Sequence, residues 1–191
     1  MGCKAPMKAY RPANGGPLHF NRPISGDAGI DYHTFEIPCG YCIQCREEQA
    51  RQWAVRITHE ATLHNENAFI TLTYNDANLP TDGGLRYADL QKFWKRLRKR
   101  YGHLRYYAVG EYGDKSLRPH YHACIFGHGF THQRIVIREE PTLLWTTKEL
   151  EMAWGLGNVS VGDLNFQTAR YTASYVTKKL RSKQQYVKVD E

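Results

Sequence analysis

No apolar run in these 191 residues approaches the roughly 20 residues that a membrane-spanning helix needs, which excludes a helical membrane protein. The opening "MGCKAPMKAYRPANGG" is polar and rich in Pro and Gly, and it has no apolar core of a secretory signal. It begins Met-Gly, but Pro6 stands where N-myristoylation asks for Ser or Thr. There is no internal repeat and no low-complexity tract, which excludes solenoids and disordered chains. Cysteine is sparse, at five residues. With no export signal the chain is expected inside the cell, its cysteines reduced, metal-bound or catalytic rather than disulfide-paired.

What is present fits one globular domain of ordinary size. Hydrophobic residues make up 41% and charged residues 24% of the chain. Lys and Arg number 26 against 19 Asp and Glu, a net charge of +7. That sign favours a polyanionic partner, although it also serves plain solubility. The cations cluster: "KFWKRLRKR" contributes Lys92, Lys95, Arg96, Arg98, Lys99 and Arg100.

Residues 1–38 read as loops and short strands. Apolar residues at Ala50, Trp53, Ala54, Ile57 and Ala61 recur at helical spacing, which predicts a helix from about Cys45 to His64. "NAFITLTYND" reads as a buried strand, "NDANLPTDGG" as a loop, and 87–102 as an amphipathic helix closed by Gly102. "HLRYYAVGE" and "PHYHACIFG" read as strands joined by a hairpin loop at 112–118. Residues 127–142 read as irregular, 146–155 as a short helix, 158–164 as a strand and 167–183 as a last helix. The end "QQYVKVDE" reads as a tail or a cut point, as in a fragment of a longer chain. After the first helix the order is strand, helix, strand, strand, helix, strand, helix. This predicts an α+β fold with a mainly antiparallel sheet flanked by helices.

Three groups of residues carry chemistry. On a strand, His120 and His122 point to one face, with Tyr121 opposite. Two imidazoles on one face can chelate a divalent metal, or they can be ordinary histidines in a chain that has nine. If 112–118 is a hairpin loop, Glu111 returns beside His120 as a third ligand, leaving positions open for water or phosphate. His128 and His132 lie on loop-like chain and are expected to be exposed or to face phosphate.

Tyr171 and Tyr175 lie four residues apart on the last helix, within about 40° and about 6 Å of each other, and Lys179 extends the stripe. The stripe is either core packing with a snorkelling lysine or a pair of nucleophiles. A phenol is a weak nucleophile near neutral pH unless a cation stabilises the phenolate, and here a lysine and a metal are both at hand. Paired tyrosines, a two-His metal site and a basic surface are the parts of a transesterification on a DNA backbone.

The third group is "PCGYCIQC", with Cys39, Cys42 and Cys45, to which Cys3 adds a fourth thiol. C-x2-C is a zinc-knuckle spacing, so a structural zinc is set against a cluster of inert thiols. Cys124 reads as an ordinary buried cysteine.

"FITLTY", "GEYGDKSLRPHYHACIFG" and "ARYTASYVTKKL" together resemble the three ordered motifs of the HUH (His-hydrophobic-His) endonucleases that initiate rolling-circle replication. The form with "YxxxYVxKK" resembles the initiators of the microviruses, and "CGYCIQCREEQARQWAVRITHE" is similar to their gokushovirus branch. The resemblance runs from about Cys39 to Leu180. It implies a ferredoxin-like core of HUH type over 46–191, behind an irregular segment over 1–45 that carries the cysteines. It implies Mn²⁺ or Mg²⁺ at His120, His122 and Glu111, and site-specific nicking and joining of single-stranded DNA through a 5′-phosphotyrosine link at Tyr171 or Tyr175, assisted by Lys179. One tyrosine would hold the first link while the other cuts the regenerated origin. DNA phosphates would meet Lys92, Lys95, Arg96, Arg98, Lys99, Arg100, Arg118 and Lys178. The setting would be the host bacterial cytoplasm, with the phage origin as substrate and host helicase and polymerase as partners. The rival reading is a basic, zinc-containing binder of single-stranded nucleic acid without catalysis, and only covalent attachment to DNA separates the two.

Overall fold

The computed structural model describes residues 2–21, 31–113, 116–178 and 187–189, with backbone alone at 176–178 and 187–189. The chain forms two compact units, Met1–Gln49 and Ala50–Glu191. The first unit holds a hairpin of β1 (Met7–Pro12) and β2 (Tyr32–Ile37), paired antiparallel from Met7 opposite Ile37 to Pro12 opposite Tyr32. Helix α1 (Ile43–Thr62) starts in the first unit and continues into the second.

The second unit is built on an antiparallel sheet. Its strands are β3 (Asn67–Tyr74), β4 (Arg105–Tyr112), β5 (Pro119–Phe126), β6 (Ile135–Arg138), β7 (Leu144–Thr146), β8 (Gly157–Gly162) and β9 (Val187–Val189). They lie in the order β6-β7-β8-β3-β5-β4-β9. Helices α2 (Tyr87–Tyr101), α3 (Lys148–Trp154) and α4 (Phe166–Lys178) complete the unit. The fold is α+β, with a mainly antiparallel sheet flanked by helices, as expected of an HUH-type core.

The helices take opposite faces because the strands alternate. Ala68, Ile70, Leu72 and Tyr74 of β3, Tyr106 and Ala108 of β4, and Tyr121, Ala123 and Ile125 of β5 form one core with Phe93, Trp94 and Leu97 of α2 and Leu150 and Trp154 of α3. On the other face Tyr107, Cys124 and Phe126 pack with Ala54 and Ile57 of α1 and Ala169 of α4. The apolar stripes predicted for α1 and α2 are the ones that pack.

Local chemistry sets the helix ends. Gly102 closes α2 at φ 77° with its N–H donating to the Arg98 carbonyl at 3.0 Å. Asn165 caps α4: its Oδ1 accepts from the N–H groups of Gln167 and Thr168 at 2.9 and 3.0 Å. That cap starts α4 at Phe166, one residue before the expected start, and residues 179–183 of the expected helix lie outside the described residues.

Three strands depart from the sequence reading. The stretch expected to be irregular contains β6, whose four residues are all exposed, so no period-two burial marked it. Its partner β7 is only three residues long, and their pairing is irregular between Val136 and Arg138. The expected tail contains β9, which pairs with β4 from Tyr107 opposite Val189 to Val109 opposite Val187.

Candidate metal centre and tyrosine pair

The β4–β5 hairpin sets Glu111 directly opposite His120, and His122 opposite both Val109 and Thr71. Residues opposite each other in antiparallel strands share a face. Glu111 and the two histidines therefore converge on the face covered by α1 and α4. Glu111 Oε1 lies 2.5 Å from His120 Nε2 and 3.0 Å from His122 Nε2. Possible ligand atoms of the three residues all lie within 4.8 Å of one another. Glu111 is 4% exposed and His122 5% exposed, so water does little of the charge balancing.

The hydrogen bonds around the triad fit a cation. His120 Nδ1 lies 3.1 Å from the Arg118 carbonyl, which can only accept, so Nδ1 carries a proton. Nε2 of a neutral His120 is then a lone pair facing a carboxylate oxygen. Two acceptors that close repel unless a cation joins them, either a proton or a metal ion. His122 Nδ1 is held by the Thr71 hydroxyl at 2.9 Å, and Phe69 stacks on its ring at 5.5 Å. Glu111 Oε2 is buried without a hydrogen-bond partner, which leaves acceptor capacity for a metal. Burial pushes the Glu111 carboxyl up, but when both histidines are protonated their Nε2–H groups donate to it and their charge holds it down at about 2, ionised; a metal ion in place of those protons acts in the same direction.

Helix α4 brings the tyrosines to this triad. The Tyr171 ring lies 5.2 Å from the His122 ring, edge-on, and the Tyr175 ring stacks on it at 5.8 Å. The two tyrosine rings are 4.9 Å apart. Tyr171 is exposed and Tyr175 half-buried. Burial raises the Tyr175 phenol well above its usual range, and the hydrogen bond with Tyr171 and the Glu111 charge push the same way. A cation at the triad reverses the last of these. Lys179 lies outside the described residues, as does the side chain of Lys178.

The cationic helix is elsewhere. Lys92, Lys95, Arg96, Arg98, Lys99 and Arg100 sit on α2, which packs on the opposite sheet face. Several already have partners. Arg96 donates to the Ala153 and Trp154 carbonyls at the end of α3, at 2.8 and 3.2 Å. Arg98 donates to the Leu104 carbonyl at 3.1 Å, Arg100 pairs with Glu149, and Lys92 lies 3.8 Å from Asp89. Arg118 is near the triad, bonded to Asp76 at 2.7 Å and to the Tyr74 carbonyl at 2.9 Å. His128 is not exposed as expected: it is half-buried against Tyr101 and Phe130, both ring separations being 4.2 Å. His132 is exposed, and Cys124 is fully buried.

In the first unit, Cys3, Cys39, Cys42 and Cys45 bring their sulfurs within 4.8 Å of one another, all as free thiols. The Cys42 and Cys3 sulfurs are 3.9 Å apart. That is near the roughly 3.8 Å edge of a tetrahedron of thiolates around zinc at about 2.3 Å. Backbone N–H groups of Cys39 and Cys42 donate to the sulfurs of Cys3 and Cys39 at 3.3 and 3.4 Å. Backbone donors at Lys4 and Cys45 bring Cys42 down to about 6, whereas burial pushes Cys45 up to about 12. A set holding both a ready thiolate and a thiol that ionises only against positive charge suits a metal ion.

Thr71 and Phe69, which orient His122, were not singled out from the sequence. Their signal was the alternation in "FITLTY", which puts Phe69, Thr71 and Thr73 on one face.

An antiparallel sheet with a buried His-Tyr-His strand, a facing glutamate and a helix of paired tyrosines defines a class, and the comparisons name it. Residues 67–180 match the model of the family described as "Replication-associated protein ORF2/G2P", and the chain belongs to that family. It is 34% identical to "Replication-associated protein VP4" of Bdellovibrio phage phiMH2K and 33% identical to "Replication-associated protein ORF2" of Spiroplasma virus 4, in each case over 94% of this chain. It spans 59% and 62% of those two relatives' lengths. A third relative, "Replication-associated protein ORF4" of Chlamydia phage 1, is 32% identical over 82% of the chain and 41% of its own length. No solved structure matches the chain.

Proposed function

We propose that the chain nicks and rejoins single-stranded DNA to start and end a round of phage genome replication. The observation that carries this reading is the convergence of Tyr171 and Tyr175 on His122, within 6 Å ring to ring, beside the Glu111–His120–His122 triad. The replication-associated names of the relatives support the setting.

Tyrosine Oη attacks a backbone phosphorus, gives up its proton, and the bond to the 3′ oxygen breaks. The 3′ oxygen takes up a proton, and the 5′ phosphate stays on the enzyme as a phosphotyrosine ester. One phosphodiester replaces another, so neither water nor ATP is consumed, and the freed 3′ hydroxyl can reverse the step. A divalent ion held by Glu111, His120 and His122 supplies Lewis-acid polarisation of the phosphate. The mixed nitrogen and oxygen donors favour Mn²⁺ over Mg²⁺, which prefers oxygen alone. His120 and His122 are held in place by Arg118 and Thr71, and Tyr171, the more exposed phenol, is the nearer to incoming DNA. Lys178 and Lys179 follow the tyrosines in sequence and are proposed to help lower the phenol pKa. On the opposite sheet face, the α2 cations gather DNA by charge rather than by touching the scissile phosphate. Zinc is proposed for the four cysteines, within the 1–45 segment that precedes the catalytic domain at 46–191.

The test is an origin-like single-stranded oligonucleotide incubated with the protein and Mn²⁺, then resolved on a denaturing gel. A covalent protein–DNA band is expected, lost with EDTA and with His120→Ala/His122→Ala, while salt-sensitive binding persists in both. No band under any metal would leave the binding protein without catalysis.

A further inference from the structure

A second site lies on the triad's face of the sheet, where α1 meets β4. Trp53, Arg56, Glu60, Arg105, Tyr107 and Phe126 line an open pocket of about 140 Å³. A cavity of about this size takes a single aromatic ring in other proteins. Trp53 is half-buried, tilted against Tyr107 at 5.4 Å between ring centres, and Arg56 lies over its ring at 5.0 Å. Arg105, half exposed, is held at the pocket by Glu60 at 2.9 Å. The Tyr107 hydroxyl is buried with no hydrogen-bond partner, although Tyr107 itself is 3% exposed. An orphaned buried hydroxyl is costly and points to a missing polar ligand.

These groups match the two halves of a nucleotide. Aromatic rings stack on a base irrespective of its sequence, and two arginines at the rim answer a phosphate. The position matches too. Tyr107 and Glu111 are four residues apart on β4, as are Phe126 and His122 on β5, so the pocket lies roughly 13 Å along the same face from the triad. That is about four nucleotides at the spacing of a stacked strand.

We infer that this pocket binds a base and its phosphate from the single-stranded DNA that flanks the cleaved bond, with Trp53 as the stacking platform and Arg56 and Arg105 on the phosphate. This deepens the proposed nicking function and rests on it.

The full chain is photo-crosslinked, in EDTA, to single-stranded oligonucleotides carrying 5-iodouracil at successive positions, and the adducts are mapped by mass spectrometry. Crosslinks at Trp53 or Tyr107 are expected from one or two positions only. Arg56→Ala, on an exposed side chain, should weaken binding about threefold or more without changing the melting temperature. Deoxyadenosine monophosphate should not displace the oligonucleotide. Crosslinks confined to other regions, unchanged affinity of Arg56→Ala, or displacement by the free mononucleotide would each overturn the assignment. The Mn²⁺ adduct gel judges nicking separately: crosslinks without an adduct would keep the subsite and remove the nicking reaction.

Discussion

His120 and His122 act as one unit because a single carboxylate oxygen faces both of their Nε2 atoms. His128 shows the contrary case, a histidine kept neutral by packing. Burial lowers its pKa, against the weaker pull of Glu66 and Glu149, and its Nδ1 accepts from the Phe130 N–H at 3.0 Å. Its folded pKa therefore lies below the unfolded value of about 6.5. The stability it contributes is fully present above about pH 6.5 and is lost as pH falls through the folded value. Thermal melts should show a smaller drop between about pH 7 and about pH 5 for His128→Phe, which keeps the ring packing, than for the native chain. Equal drops would assign the acid sensitivity to other groups. The sequence exposed the His120–His122 pair and hid the setting of His128. A His-x-His strand fixes its own face by period two, whereas the loop around His128 has no period to read, and its ring partner Tyr101 comes from a helix 27 positions earlier.

Among the elements, the β4–β5 hairpin was legible because a short loop forces antiparallel return, which sets Glu111 beside His120. The edge strands were not: β6 is exposed along its whole length, and β7 has three residues. The pairing of β3 with β8 hangs on a residue whose role the sequence does not announce. Gly157 pairs with Tyr74 at φ 157°, and a Cβ there would stand 2.1 Å from the Thr73 carbonyl oxygen and 2.5 Å from the Asn75 nitrogen. Both neighbours are backbone and cannot swing away. Gly157→Ala should therefore cost about 3 kcal/mol or more in urea unfolding. A loss below about 1 kcal/mol, the centre of ordinary substitutions, would show that β8 shifts freely against β3. The Trp53 pocket was also hidden, because its walls come from α1 and β4, about 50 positions apart.

At the scale of the molecule, the sheet separates two kinds of surface. One face carries the triad and the tyrosines, and the other carries the cationic α2. Among the described residues, no helix is long and apolar enough to cross a membrane. In the first unit, metal analysis of protein purified without added zinc should find about one equivalent, reduced by Cys42→Ser. Less than about a tenth of an equivalent would leave the four cysteines as free thiols. The central claim is that the tyrosines on α4 are the nucleophiles, and covalent attachment to DNA tests it most directly. Native chain, Tyr171→Phe, Tyr175→Phe and the double variant are incubated with a single-stranded origin oligonucleotide and Mn²⁺, and the DNA-bearing peptide is sequenced by mass spectrometry. The account predicts a phosphotyrosine at Tyr171 or Tyr175, adduct with each single variant, and none with the double variant. An adduct formed by the double variant would contradict it and return the two tyrosines to packing.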